Sequence, residues 1–77
     1  MIREHERAVL LVDLPEHELL AGDVGIVIHT YAGNAYEVEF FTLDGQTLDV
    51  VTLDAKAVRP VQQREVMHAR QMEMIPV

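Results

Sequence analysis

Glu37 and Glu39, with one residue between them, are the pair in this chain whose type and spacing come nearest to chemistry. On a strand they share a face about 6.5–7 Å apart, a separation at which paired carboxylates act as acid and base on glycosidic bonds. Such a pair needs a cleft that encloses the sugar and raises one pKa. A chain of 77 residues has little material for that, so the two acids read as the solvated outer face of a sheet. The histidines His5, His17, His29 and His68 fall in different elements, and no two stand at the i, i+4 spacing of a zinc-binding helix. Glu4-His5-Glu6 and Glu16-His17-Glu18 would hold a metal only weakly, and both read as ordinary surface histidines. His29 reads as an outward neighbour of Tyr31. Serine and cysteine are absent, which removes serine triads, thiol nucleophiles, disulfides and thiolate metal sites. No catalytic residue, cofactor or metal is expected, and the chain reads as non-enzymatic.

The elements that position these residues are strands. Gly22-Asp23-Val24-Gly25 reads as a tight turn or barrel corner, where glycine allows positive φ or close backbone approach. It lacks the lysine and the following helix of a phosphate loop. Ala8–Val12 reads as a buried first strand, and Asp13–Leu20 as a loop with one helical turn set by Pro15. Leu14, Leu19 and Leu20 are expected to cap one end of the core. Ile26–Tyr31 and Tyr36–Leu43 are the second and third strands, joined through Gly33-Asn34. In the third, Tyr36, Val38 and Phe40 alternate with Glu37 and Glu39, apolar inward and acid outward.

Asp44-Gly45 is a hairpin signal joining the third strand to a fourth, Gln46–Leu53. A two-residue loop would pair Phe40 with Asp49, Val38 with Val51 and Tyr36 with Leu53. A G1 bulge at Gly45 would shift the register by one and send Leu48 and Val50 inward. Both registers stay open, and both leave apolar surface uncovered. Lys56–Val61 reads as a last short strand or 3₁₀ turn, its Pro60 suited to an edge. Gln62–Met74 contains no breaker, and its Gln, Glu, Arg and Met residues allow a helix, with Val66, Ala69 and Met72 at three-residue spacing beside Met67 and Met74. The expected organisation is a polar segment over 1–7, a β-domain over 8–61, and a methionine-rich tail over 62–77 that admits a helix.

The ordered set Asp13-Leu14-Pro15-Glu16, Gly22-Asp23-Val24-Gly25, Val27, Tyr36-Glu37-Val38-Glu39-Phe40, Asp44-Gly45-Gln46-Thr47, Val51-Thr52-Leu53 and Val58-Arg59-Pro60 resembles the bacterial and archaeal family known as domain of unknown function 4926. The resemblance covers about positions 8–61. It implies an all-β, SH3-like antiparallel barrel of about five strands, with no catalytic residue to carry over. It also suggests an antitoxin-like, neutralising or regulatory partner of a protein encoded nearby. The amino-terminal segment and the tail from Gln62 lie outside the shared pattern. The glycine-led strand is also similar to KOW-type nucleic-acid-binding barrels, which are usually basic.

Charge separates those classes. Thirteen acids against six Lys and Arg give a formal charge of −7, and the cations Arg3, Arg7, Lys56, Arg59, Arg64 and Arg70 are scattered. Phosphate binding needs clustered cations. Nucleic acid is therefore the disfavoured alternative, to be met through the loops Tyr31–Asn34 and Asp44–Gln46. A basic protein partner is favoured. The charged amino terminus is unlike a signal peptide, and the longest uncharged run is far short of a membrane span. A cytoplasmic protein is expected. So small a chain buries only about 60–65% of its unfolded surface, which makes a homodimer a natural source of extra stability. The interaction residues expected are the acids Glu37, Glu39 and Asp49 for steering, Phe41, Leu48 and Val50 as apolar anchors, and Met67 and Met72 on the tail.

Overall fold

Two glycines set the geometry where the second strand begins. Gly22 holds φ +97°, in the left-handed region that favours glycine. At Gly25 the reason is space: a Cβ there would sit 2.7 Å from the Glu39 carbonyl oxygen and 2.7 Å from Val38 Cγ1. The corner read from the sequence is therefore a close approach of two backbones. It lies in a computed structural model that describes residues 1–72.

Five strands form, β1 (Arg7–Leu10), β2 (Val24–Tyr31), β3 (Ala35–Phe41), β4 (Thr47–Asp54) and β5 (Val58–Pro60). Two 3₁₀ turns, Pro15–His17 and Ala55–Ala57, punctuate them. All ladders are antiparallel, in one sheet of order β4-β3-β2-β1-β5. The all-β expectation holds, and no α-helix is present among the described residues. Closure does not hold. β4 and β5 are the two edges, and among the described residues no ladder joins them. β5 is three residues long, pairs with β1 and ends at Pro60, whose missing N–H cannot extend a ladder. The sheet is open.

All five strands nevertheless feed one buried cluster, including Leu10, Val27, Val38, Phe40, Leu53 and Val58. With no helix to cover that face, a single sheet buries it by curling around its own side chains. Leu19 enters from the β1–β2 loop, and Leu14 packs against the cluster. Leu20, expected beside them, is exposed. The turn beyond Pro15–His17 passes through Glu18 at φ 59°, and of the two leucines that follow only Leu19 is buried. β1 ends at Leu10, and Leu11 and Val12 face solvent rather than completing a buried strand. The amino-terminal segment is more than a polar leader. Ile2 is 3% exposed inside the core, and His5 and Val27 exchange a backbone hydrogen bond (His5 N–H to the Val27 carbonyl, 2.6 Å) that lengthens the β1–β2 pairing.

The β3–β4 hairpin contains both of the registers that the sequence left open. At its tip the Gly45 amide donates to Thr42 and the Thr42 amide donates to Gln46, with Gly45 at φ +94°. That is a three-residue loop of the G1 type, and it pairs Phe41 with Thr47. A second irregularity at Leu48 then removes the shift, so that Phe40 pairs with Asp49, Val38 with Val51 and Tyr36 with Leu53. Two bulges cancel, and Leu48 and Val50 stay outside, Val50 at 42% exposure.

The tail is the larger departure. Gln62–Met72 carries one turn at Gln63–Arg64 and no helix. Arg64 sits at φ 65°, a left-handed conformation that interrupts a right-handed helix. Met74, with the rest of 73–77, lies outside the described residues.

Candidate functional site

Alternation along β3 leaves Glu37 and Glu39 on the outer face, as expected, each half-buried between neighbours. Glu39 accepts from Thr47 Oγ1 at 2.7 Å and Glu37 from the Tyr31 hydroxyl at 3.4 Å. Neither lines a cleft, and no shared proton or enclosed substrate is provided for. His29 stands beside Tyr31 with ring centroids 4.4 Å apart, edge to face. The bulge between Val27 and His29 explains its exposure, because it breaks the alternation that would have put His29 on Val27's buried side.

Asp49 is not the outer steering acid that the sequence suggested. Its cross-strand partner is the buried Phe40, so it belongs to the inner face, at the open end of the sheet. There His17 Nδ1 meets Asp49 Oδ2 at 2.6 Å. The hydrogen bond from His17, aided by the Val50 amide, holds the Asp49 carboxyl below its usual range. His17 thereby ties the first 3₁₀ turn to β4. No group of three or more potential metal ligands forms among the described residues, around His5 or His17 included.

The expected apolar anchors converge more fully than the acids do. Phe41 and Leu48, with Leu43 between them in sequence, border an open groove of about 370 Å³ at the tip of the β3–β4 hairpin. Leu19 and Phe40 contribute to it from the core side, and Met67 and Met72 from the tail form its opposite wall. Val50 lies apart from the groove, beside Glu39 on the outer face.

The tail reaches the groove because two arginines fasten it. Arg59 donates from Nη1 and Nη2 to the two carboxylate oxygens of Glu65, at 2.8 and 2.7 Å. That fork, with the Gln62 amide, pulls Glu65 down to about 2 and raises Arg59. Farther on, Arg70 donates from Nε and Nη2 to Asp23 at 2.9 and 2.6 Å. Burial pushes the Asp23 carboxyl up, but the hydrogen bonds from Arg70 and the Leu20 amide, with the Arg70 charge, outweigh it and hold the group below its usual range. Asp23 and Arg70 are 47 residues apart, and no local pattern announces such a pair. The His17–Asp49 pair, 32 residues apart, goes unannounced for the same reason. The one local hint is that Asp23 stands between the two glycines of the corner, Gly22 and Gly25.

The turns Ala32–Asn34 and Asp44–Gln46 lie at opposite ends of β3, since consecutive hairpins reverse direction. They do not converge on one nucleic-acid surface. No helix of the described residues is long and apolar enough to cross a membrane.

Among known proteins, the family model described as Domain of unknown function (DUF4926) matches residues 4–60. No curated protein and no solved structure matches the chain. The match takes in all five strands and the Glu18–Asp23 loop, and stops before the tail.

Proposed function

The chain belongs to the DUF4926 family, which is defined without an activity, and on that premise we propose that it is a non-enzymatic module that binds a basic protein. One observation carries the reading: an open apolar groove, walled by Phe41, Leu43 and Leu48, lies on a molecule of net charge −7. Apolar side chains left at a groove supply an anchor for a partner. The surrounding acids supply attraction at a distance, which raises the association rate more than the final affinity. Glu37 and Glu39 contribute from the neighbouring outer face. Neutralising or regulating a protein encoded nearby is a role of this kind.

The test is affinity capture from the source cells with wild type, L48E and E37Q/E39Q as bait. One basic protein is expected to be retained by wild type, lost by L48E, and retained less at low salt by E37Q/E39Q. A partner held equally by L48E would move the site elsewhere. Failure to retain any basic protein would end the proposal.

A further inference from the structure

Arg70 occupies a receptor that the family domain builds without it. Asp23 offers Oδ1 to Nε at 2.9 Å and Oδ2 to Nη2 at 2.6 Å, and the Glu18 carbonyl accepts from Nη2 at 3.0 Å. The receptor is held in shape by its own loop. The Leu20 amide donates to Asp23 Oδ2 at 2.9 Å, and the Asp23 amide donates to the Leu20 carbonyl at 3.0 Å. Glu18 at φ 59° and Gly22 at φ +97° fix the backbone on either side. All of these residues lie within the family match over 4–60, and Arg70 lies beyond it. The carboxylate fork with a flanking carbonyl suits a planar guanidinium, and a lysine ammonium reproduces it poorly.

The occupant is lightly held. Between the two arginine contacts Val66 is 92% exposed, and the tail has no regular structure beyond one turn among its described residues. Its release uncovers the side of the groove that Met67 and Met72 wall. The groove bordered by Phe41 and Leu48 opens directly beside Asp23, so an incoming segment finds an arginine site and an apolar site together.

We propose that Asp23 and the Glu18 carbonyl form a binding site for an arginine in an extended segment of a basic protein partner, and that Arg70 holds this site as a tethered competitor. The proposal rests on the interaction role above and adds the partner's chemistry and its control. A partner arginine displaces Arg70, and the tail sets the threshold, because a tethered ligand competes at the high effective concentration of its linker.

The test uses the full-length chain with Arg70→Ala, and a synthetic peptide reproducing residues 64–72 as the probe, followed by amide NMR. Saturable shifts are expected at Leu20, Gly22 and Asp23. Wild type should need about tenfold more peptide for the same shift, and a peptide with lysine in place of Arg70 should bind about tenfold more weakly. D23N/R70A should show no saturable shift while its remaining spectrum stays dispersed, since asparagine still accepts from the Leu20 amide. If R70A loses dispersion, R70K serves as the receptor. No saturable shift in the folded receptor at millimolar peptide, or equal binding by D23N/R70A, overturns the proposal. Either failure alongside capture that still depends on Leu48 would leave the interaction role standing and remove the arginine site alone.

Discussion

Between β2 and β3 the contact is dry: Val27 pairs with Val38, both fully buried, and Phe40 lies beside them at 1% exposure. Between the tail and the body of the domain the fasteners are charged, Arg59 to Glu65 and Arg70 to Asp23, and both pairs are partly open to solvent. Burial of apolar area does not depend on charge screening, whereas exposed ion pairs contribute little and weaken as salt rises. The domain and its tail therefore answer to different variables. The tail can be released under conditions that leave the sheet intact, as a displaceable segment requires.

Breaking the dry side should have the largest effect. Phe40→Ala removes a fully buried ring to which no side chain can collapse without moving the sheet, and should cost about 3–5 kcal/mol. For a domain of this size, with a total stability on the order of 4–12 kcal/mol, that is most of the reserve. A denaturant midpoint near that of wild type would contradict the core assignment.

Gly25→Ala tests the close approach itself. Its methyl would meet the Glu39 carbonyl and Val38 at 2.7 Å, and the strands must part to admit it. A loss of about 1–3 kcal/mol is expected in the same denaturation experiment. Alanine at Gly25 without cost would mean that the pairing is looser than described.

On the charged side, Arg70→Ala should change global stability by less than about 1 kcal/mol. Amide exchange should accelerate from Val66 to Met72 and remain unchanged in β2 and β3. A global loss comparable with Phe40→Ala would show that the tail is part of the core and erase the distinction.

The smallest effect is titration of Glu65. Its carboxyl is depressed from 4.5 to about 2, so its stabilising contribution is present above 4.5 and lost as pH falls through about 2. Carboxyl NMR should place the Glu65 midpoint near 2 in wild type and higher in Arg59→Ala, where only the Gln62 amide still lowers it. An ordinary midpoint in wild type would mean that the Arg59 fork does not persist in solution.

Much of the sheet was legible because its signals are local. Alternation at Tyr36–Phe40 assigned the faces of β3, Pro15 marked the 3₁₀ turn, and Gly22 and Gly25 marked the corner. The hairpin was half legible. Asp44-Gly45 announced a turn, but nothing near Leu48 announced the second bulge that restores the register. Of the candidate site, Phe41, Leu48, Met67 and Met72 do meet at one groove, since exposed apolar residues near a hairpin tip have few other places to be. Asp49 was misplaced on the outer face because its face is set by the second bulge, which pairs it with Phe40, and its partner His17 lies 32 residues away in the chain. No helix forms in the described part of the tail, Gln62–Met72, since helix propensity is weak against the positive φ at Arg64 and the two arginine contacts.

The chain by itself determined that it is a small all-β domain with an acidic surface, because residue alternation, turn chemistry and net charge are properties of neighbours and of sums. Tertiary structure alone decided that the sheet stays open, that Ile2 joins the core, and that Arg70 settles on Asp23. Each of those depends on two distant residues arriving at the same place. Only the folded path of the backbone brings them there.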